Sequence, residues 1–390
     1  MKKKLKDICT QVRGVSYKPS DLRDENSGVP ILRANNIQDT GIVLDELVYV
    51  DSSKVHSEQY LLTDDIVICA SSGSKNLVGK AATFKSDLSA SFGAFCKVVR
   101  INNSDDLCKA YIQQYFQSKI YRNAISESSA GANINNIKTE DIEALEIPLP
   151  SKEEQIKIAA ELDTIQSAID NKKQQLALLD EAVKSEFVEM FGDPVQNPMG
   201  WEVKKLGDIC TKISDGVHVK PEYTATGKPF ISVVNINSGK LLFDDCKYVS
   251  EEAYEKMIKS THPEKGDILY TKVGATYGIP AIVDTDRAFC LYVSVALLKP
   301  KSEIVNSQFL TTSMAQPYIK NQADKRIKGI GVPDLHLNQI REFEVLVPPL
   351  ELQNQFNSFV QQIDKSKFVV KQQIADLQEL LDSKMQEYFS

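Results

Sequence analysis

Apolar residues spaced alternately four and three apart mark two stretches of this chain. Ile158, Leu162, Ile165, Ile169, Leu176, Leu179, Val183 and Met190 make the first seam. Phe356, Val360, Ile363, Val370, Ile374, Leu377, Leu381 and Tyr388 make the second. Such spacing predicts a heptad face on a long helix. The seams keep register at an offset of 198 residues, and their polar interruptions are staggered. Lys172 stands where the second copy has Val370, and Lys367 where the first has Ile169. Ser151 to Glu154, after Pro150, fits a capping box, and Gly192 with Pro194 supplies a stop. Each helix should run about 38 residues, or about 57 Å at 1.5 Å per residue. Neither flanking segment needs so long a partner, so the two helices are expected to pack on each other.

The segments between them read differently. Short β-rich runs occur in matching pairs: Ile66 to Cys69 with Ile268 to Tyr270, Pro30 to Arg33 with Phe230 to Val233, and Cys96 to Val99 with Val293 to Ala296. A helix-like stretch follows each set, at residues 107–123 and 307–322. Polar loops containing glycine come next, at 128–136 and 325–336. The fold class is therefore mixed α/β, in two copies, with strand order left open.

Short motifs carry the same duplication. Asp7, Ile8, Cys9 and Thr10 recur 201 positions later as Asp208, Ile209, Cys210 and Thr211. Pro150, Glu153, Gln155 and Phe191 recur at Pro348, Glu351, Gln353 and Phe389. The boundaries this predicts are a first α/β domain over 1–150, a helix over 151–191, a second domain over 192–348 and a second helix over 349–390. A duplicated unit offers two similar surfaces to a partner that is itself nearly two-fold symmetric, as duplex DNA is.

Charge qualifies that idea. The net charge is −7, but residues 151–191 account for −4 of it and residues 349–390 for −2, leaving both α/β segments nearly balanced. A free-standing DNA binder carries a basic footprint. A partner is thus expected to supply much of the phosphate neutralisation. No run approaches the ~18–20 apolar residues of a membrane span. Met1 and three lysines are followed by no apolar stretch, which predicts no signal peptide. Seven dispersed cysteines, never in a CxxC, predict reduced thiols and no zinc site.

The sequence carries little that suggests catalytic chemistry. Gly73 to Ala81 superficially resembles a phosphate-binding loop, but one residue too many separates the glycines, and Ala81 stands where Ser or Thr should ligate magnesium. The counterpart around Gly274 and Gly278 has no such lysine. No glycine-rich turn suggests a dinucleotide or S-adenosylmethionine site, and no Asn/Asp-Pro-Pro-Tyr tetrapeptide is present. Pro333-Asp334 is not followed by the Glu-x-Lys of a metal-dependent nuclease. His218 near Asp215 and His336 near Asp334 read as loop histidines.

The junction from Phe191-Gly192-Asp193-Pro194 to Trp201-Glu202 and Leu206-Gly207-Asp208-Ile209 resembles the specificity subunits of type I restriction–modification systems. The resemblance covers the whole chain and includes the Pro-x-x-Glu-x-Gln lead into each helix. Only the first copy departs, with Met1-Lys2 in place of Gly200-Trp201-Glu202. It implies a non-catalytic, cytoplasmic prokaryotic subunit whose two target-recognition domains each read half of a split DNA sequence. The helices, as an antiparallel coiled coil, would set the unspecified spacer, on the order of one ~34 Å turn of DNA. Two methyltransferase (M) subunits and motor-nuclease (R) subunits would be the partners. S-adenosylmethionine, ATP and Mg²⁺ belong to those partners rather than to this chain. Two alternatives stay open: a scaffold that organises partners without touching DNA, and a subunit serving modification only.

Base readout needs polar side chains that reach base edges. In the first domain Arg33, Asn35 and Asn36 fit, as does the loop holding Ser71, Ser72, Ser74, Lys75 and Asn76. In the second domain the counterparts are Asn235, Asn237, Lys272, Thr276 and Tyr277. Asn133, Asn135, Lys325, Arg326 and Lys328 are placed to grip phosphates. Glu181, Glu186 and Glu189 on the first helix are an acidic face suited to basic partner patches.

Overall fold

The structure is a computed structural model that describes residues 1–38, 40–74, 77–129, 136–327 and 331–390. It divides into two units. The first comprises residues 1–174 and 370–390, and the second residues 175–369. Each therefore contains one α/β segment together with part of both long helices.

In the first unit the central sheet is antiparallel, in the order Cys9–Arg13, Cys96–Ile101, Ile66–Cys69, Ala81–Thr83. Ile66–Cys69 is apolar throughout because both of its faces are covered. Ile66 and Ile68 join a core with helix residues Tyr111, Ile112, Tyr115 and Phe116, whereas Val67 and Cys69 face a second core. That second core lies against a mixed sheet built from Ser91–Phe92, Val29–Leu32, Val48–Val50 and Leu22–Arg23. Helix layer, central sheet and second sheet make three layers.

The second unit repeats this plan with Cys210–Asp215, Val295–Pro300, Ile268–Thr271 and Pro280–Ile282 in the central sheet. Its second sheet runs Lys247–Val249, Lys228–Ile231, Cys290–Leu291. Leu269 faces that sheet's core, and Ile268 and Tyr270 face the helices.

Each helix-like stretch expected from the sequence is two helices. Ser118 ends Lys109–Gln117 and caps Lys119–Ser129, its Oγ accepting the Tyr121 N–H at 3.2 Å. In the second unit Pro317 opens Pro317–Arg326 after Ser307–Met314, since proline is tolerated only in a first turn.

The long helices are Lys152–Phe191 and Leu350–Phe389, 40 residues each, or about 60 Å. They pair antiparallel: within the second unit Lys367 Nζ meets Asp180 at 2.6 Å, and the Phe187 and Phe356 rings lie 5.5 Å apart. The seam is driest where it meets the α/β layers. Leu162, Ile169 and Phe356 are fully buried, while Leu176, Leu179, Ile363 and Ile374 are only half-buried. Ser151 Oγ accepts the Glu154 N–H at 3.3 Å at the first helix start. Gly192 closes that helix at φ +76°, and a Cβ there would lie 2.8 Å from Pro198.

Candidate nucleic-acid interface

Two backbone corners, one per unit, organise the residues singled out for DNA contact. In the first, the chain leaving Ile66–Cys69 is pinned on both sides. The Ala70 N–H donates to Phe95 O at 2.9 Å, and the Ile137 N–H to Ala70 O at 2.8 Å. In the second, the Lys272 N–H donates to Ser294 O at 2.9 Å, and the Leu335 N–H to Lys272 O at 2.8 Å. The loop then closes alike: the Gly79 N–H reaches Cys69 O and the Gly278 N–H reaches Thr271 O, both at 2.8 Å. Both glycines have positive φ, and a Cβ would come within 2.8 Å of Ile125 or 2.9 Å of Lys320. A strand, Ala81–Thr83, follows Lys80 rather than a helix, so the residue 73–81 loop has no helix N-terminus with which to cradle phosphate.

On this frame the candidates separate. Asn36 and Asn235 are 2% and 4% exposed, and their side chains serve the fold. Asn36 Oδ1 accepts the Arg33 N–H, and its Nδ2 donates to Val43 O and Asp45 O at 2.9 and 2.8 Å. Asn235 Oδ1 accepts the Ser232 N–H at 3.0 Å. These asparagines close tight turns, a preference of their short amide. Lys272, expected to face DNA, is 5% exposed and lies 3.4 Å from Asp215 and 3.5 Å from Asp334. The two carboxylates hold its ammonium inside, since an unpaired interior charge is too costly. Arg326 is half-buried and engaged within the chain: it donates to Gln322 O and Glu342 O and stacks over Phe343. Tyr277 is held by its hydroxyl on Asp324, with Lys320 Nζ 3.5 Å above its ring. Lys320 and then Tyr277 hold the Asp324 carboxyl below the usual range.

Other candidates remain at the surface. Asn35, Ser74, Asn237, Thr276 and Lys325 are exposed, and Ser71 and Ser72 are half-buried. Ser72 Oγ accepts the Ser74 N–H at 3.2 Å, and Ser71 forms a bridge with Asn136. Arg33 donates to Glu46 O at 2.9 Å while its buried Nε has no partner among the described residues. Lys75, Asn76, Asn133, Asn135 and Lys328 lie outside the described residues. His218 is exposed, 3.3 Å from Asp215.

The sequence reading missed the residues that differ most between the corners. Phe95 is 70% exposed in the first unit, and its equivalent by backbone bonding is Ser294, which is buried. Gly93 corresponds to Tyr292 in the same way, since the Cys96 and Val295 N–H groups bond back to them at 2.8 and 3.0 Å. An offset of 199 applied to residues 91–96 would have aligned these pairs.

Thiol chemistry finds no support. All seven cysteines are free, and burial pushes the Cys9, Cys96, Cys210 and Cys290 thiols up to about 12. Among the described residues no cluster of three His, Cys, Asp or Glu side chains is placed to hold a metal, and no helix is long and apolar enough to cross a membrane.

The family model for the type I restriction modification DNA specificity domain matches this chain twice, over residues 1–181 and 198–379. The EcoKI specificity subunit of Escherichia coli K12 is 28% identical over 388 residues, covering 94% of this chain and 82% of that protein. The StySPI specificity subunit of Salmonella potsdam is 27% identical, with the same coverage. Among solved structures, the S subunit of a type I system from M. genitalium superposes with a TM-score of 0.53 at 15% identity, over 100% of this chain and 96% of that one. A chain from a type I assembly reaches 0.59 at 17% identity, over 100% and 97%. Two matched copies of one domain, in a chain built as two matching α/β units with paired long helices, establish that this protein belongs to the type I restriction–modification specificity family.

Proposed function

We propose that this chain is the DNA-reading subunit of a type I restriction–modification complex and that each unit reads one half of a bipartite target. One observation carries the reading: two corners that share backbone bonds differ in what they expose, Phe95 standing at the surface of one where the other has a buried Ser294 beside a half-buried Tyr292. A shared frame with divergent surface is what two readers of different half-sites require. The exposed Asn35, Ser74, Asn237 and Thr276 and the half-buried Ser72 are the base-edge contacts of this reading, and Lys325 is a phosphate contact. Lys75, Asn76, Asn133, Asn135 and Lys328 join them in sequence.

On this reading the chain performs no chemistry of its own. Methyltransferase and motor-nuclease subunits bind it in the prokaryotic cytoplasm and bring S-adenosylmethionine, ATP and Mg²⁺. They also supply basic surface that a chain of net charge −7 lacks. The paired helices set the spacer between half-sites.

Methylome sequencing of a host expressing the complex is the test. Exchanging residues 1–150 for those of another family member should change one half-site and leave the other intact. A change in both would contradict modular reading. Deleting one heptad from each long helix should alter the spacer alone; unchanged spacing would discredit the helices as a ruler.

A further inference from the structure

The second unit carries a groove of about 390 Å³ between the turn after Lys228–Ile231 and the corner at Val273–Gly274. Its size falls within the roughly 300–1,000 Å³ of small-molecule sites. One wall is aromatic. The Tyr223 and Phe230 rings lie 5.8 Å apart, and Phe230 and Tyr292 lie 5.7 Å apart. Lys247 Nζ stands 4.4 Å over the Tyr223 ring, which places a cation at the rim.

Two polar groups line the groove with hydrogen-bonding capacity unspent. Ser294 is 7% exposed, and its hydroxyl has no partner among the described residues. A buried unpaired hydroxyl destabilises a fold, so its place at a groove needs a reason. Asn235 gives its Oδ1 to the Ser232 N–H, but its Nδ2 has no acceptor among the described residues. The equivalent Asn36 uses both ends of its amide internally. Asp245 adds an acceptor at the rim.

An aromatic wall, an amide donor, a hydroxyl, an acceptor and a nearby cation are the parts that recognise a planar heterocycle attached to a phosphate. We propose that this groove receives one unstacked nucleobase of the bound DNA, stacked against Tyr292 and read at its edge by Ser294 and Asn235. The base is taken from a step that unpairs readily, so sequence is read through deformability as well as edge contacts. At the matching corner of the first unit Phe95 is exposed instead. This inference rests on the DNA-reading function proposed above and adds how the second unit reads.

The test uses the full chain and the four deoxynucleosides as probes, followed by saturation-transfer NMR. Base protons of at least one deoxynucleoside should receive saturation. Ser294→Ala should weaken that binding at least five-fold while the melting temperature holds or rises, because an unpaired buried hydroxyl has been removed. A merely structural serine would not give that combination. Tyr292→Ala should abolish the signal. No base-proton saturation from any of the four, or signals undiminished in both variants, overturns the proposal. In the assembled complex, the Ser294→Ala methylome should relax one half-site and keep the other. If nucleosides bind but both half-sites persist, the groove is a free-nucleotide site and the proposal falls while the reading function stands. If the wild-type complex selects no sequence, the reading function itself fails and takes the proposal with it.

Discussion

Gln155 Oε1 accepts the backbone N–H of Cys108 at 2.9 Å, across 47 residues of sequence. Its Nε2 donates to Asp106 O and Pro150 O at 3.0 and 2.9 Å, so one fully buried amide ties the start of the first long helix to the loop before Lys109–Gln117. Gln353 repeats the clamp on Asn306, Ile304 and Pro348. The recurring Pro-x-x-Glu-x-Gln motif therefore has a mechanical reason. Gln155→Leu should lower stability by about 2–3 kcal/mol by leaving these backbone groups unpaired. Urea denaturation of the purified variant measures it, and a loss below about 0.5 kcal/mol would show that the clamp does not hold the helix start.

The two copies solve one electrostatic problem with different cations. Asp65, 2% exposed, is met by Arg100 through two bonds at 2.9 and 2.7 Å. Asp267, 6% exposed, is met by Lys299 at 2.6 Å. Arg100→Met should destabilise by about 2–3 kcal/mol because the carboxylate stays buried without its partner. Arg100→Lys should recover part of this, since the second unit already uses lysine there. Equal losses for Met and Lys in thermal unfolding would show that the planar fork, and not charge, is what matters.

Lys272 lies between Asp215 and Asp334, with 6% of its side chain exposed. Lys272→Met should cost about 2–3 kcal/mol by leaving two carboxylates facing each other. Asp334→Asn should cost clearly less, because 46% of the Asp334 side chain is exposed. The reverse order in denaturant unfolding would mean that the lysine's stem packing outweighs its charge.

Acid should release the residue 271–278 loop through Asp324. Its folded-state pKa is lowered, first by Lys320 and then by Tyr277, so folding favours the carboxylate. The stabilisation is fully present above the unfolded value of about 3.9 and is lost as pH falls through the lowered folded value. Wild type and Asp324→Asn should therefore differ in melting temperature at neutral pH and converge below that folded value. A gap that persists into strong acid would assign the effect to packing.

Sequence periodicity was enough to reveal the duplication, both long helices and the strands that are apolar throughout. Heptad spacing and motif recurrence are local properties of the chain and survive without any knowledge of contacts. The split of each shorter helical stretch was written in Ser118 and Pro317, but the apolar pattern runs through both breaks.

The direction a polar side chain faces was not legible. Asn36, Asn235 and Lys272 have the composition of DNA contacts, yet the fold turned them inward, where turn closure or ion pairing satisfies them, and half-buried Arg326 is taken up by backbone carbonyls. Phe95 and Ser294 run against their composition in the opposite sense. The aromatic residue is exposed, and the hydroxyl is buried at a groove. Linear pattern encodes which elements form, because hydrogen bonding and apolar spacing act over a few residues. Which polar groups stay available depends on the partners the fold supplies, from Ser232 beside Asn235 to Asp215 and Asp334 around Lys272, and only the packed chain decides that.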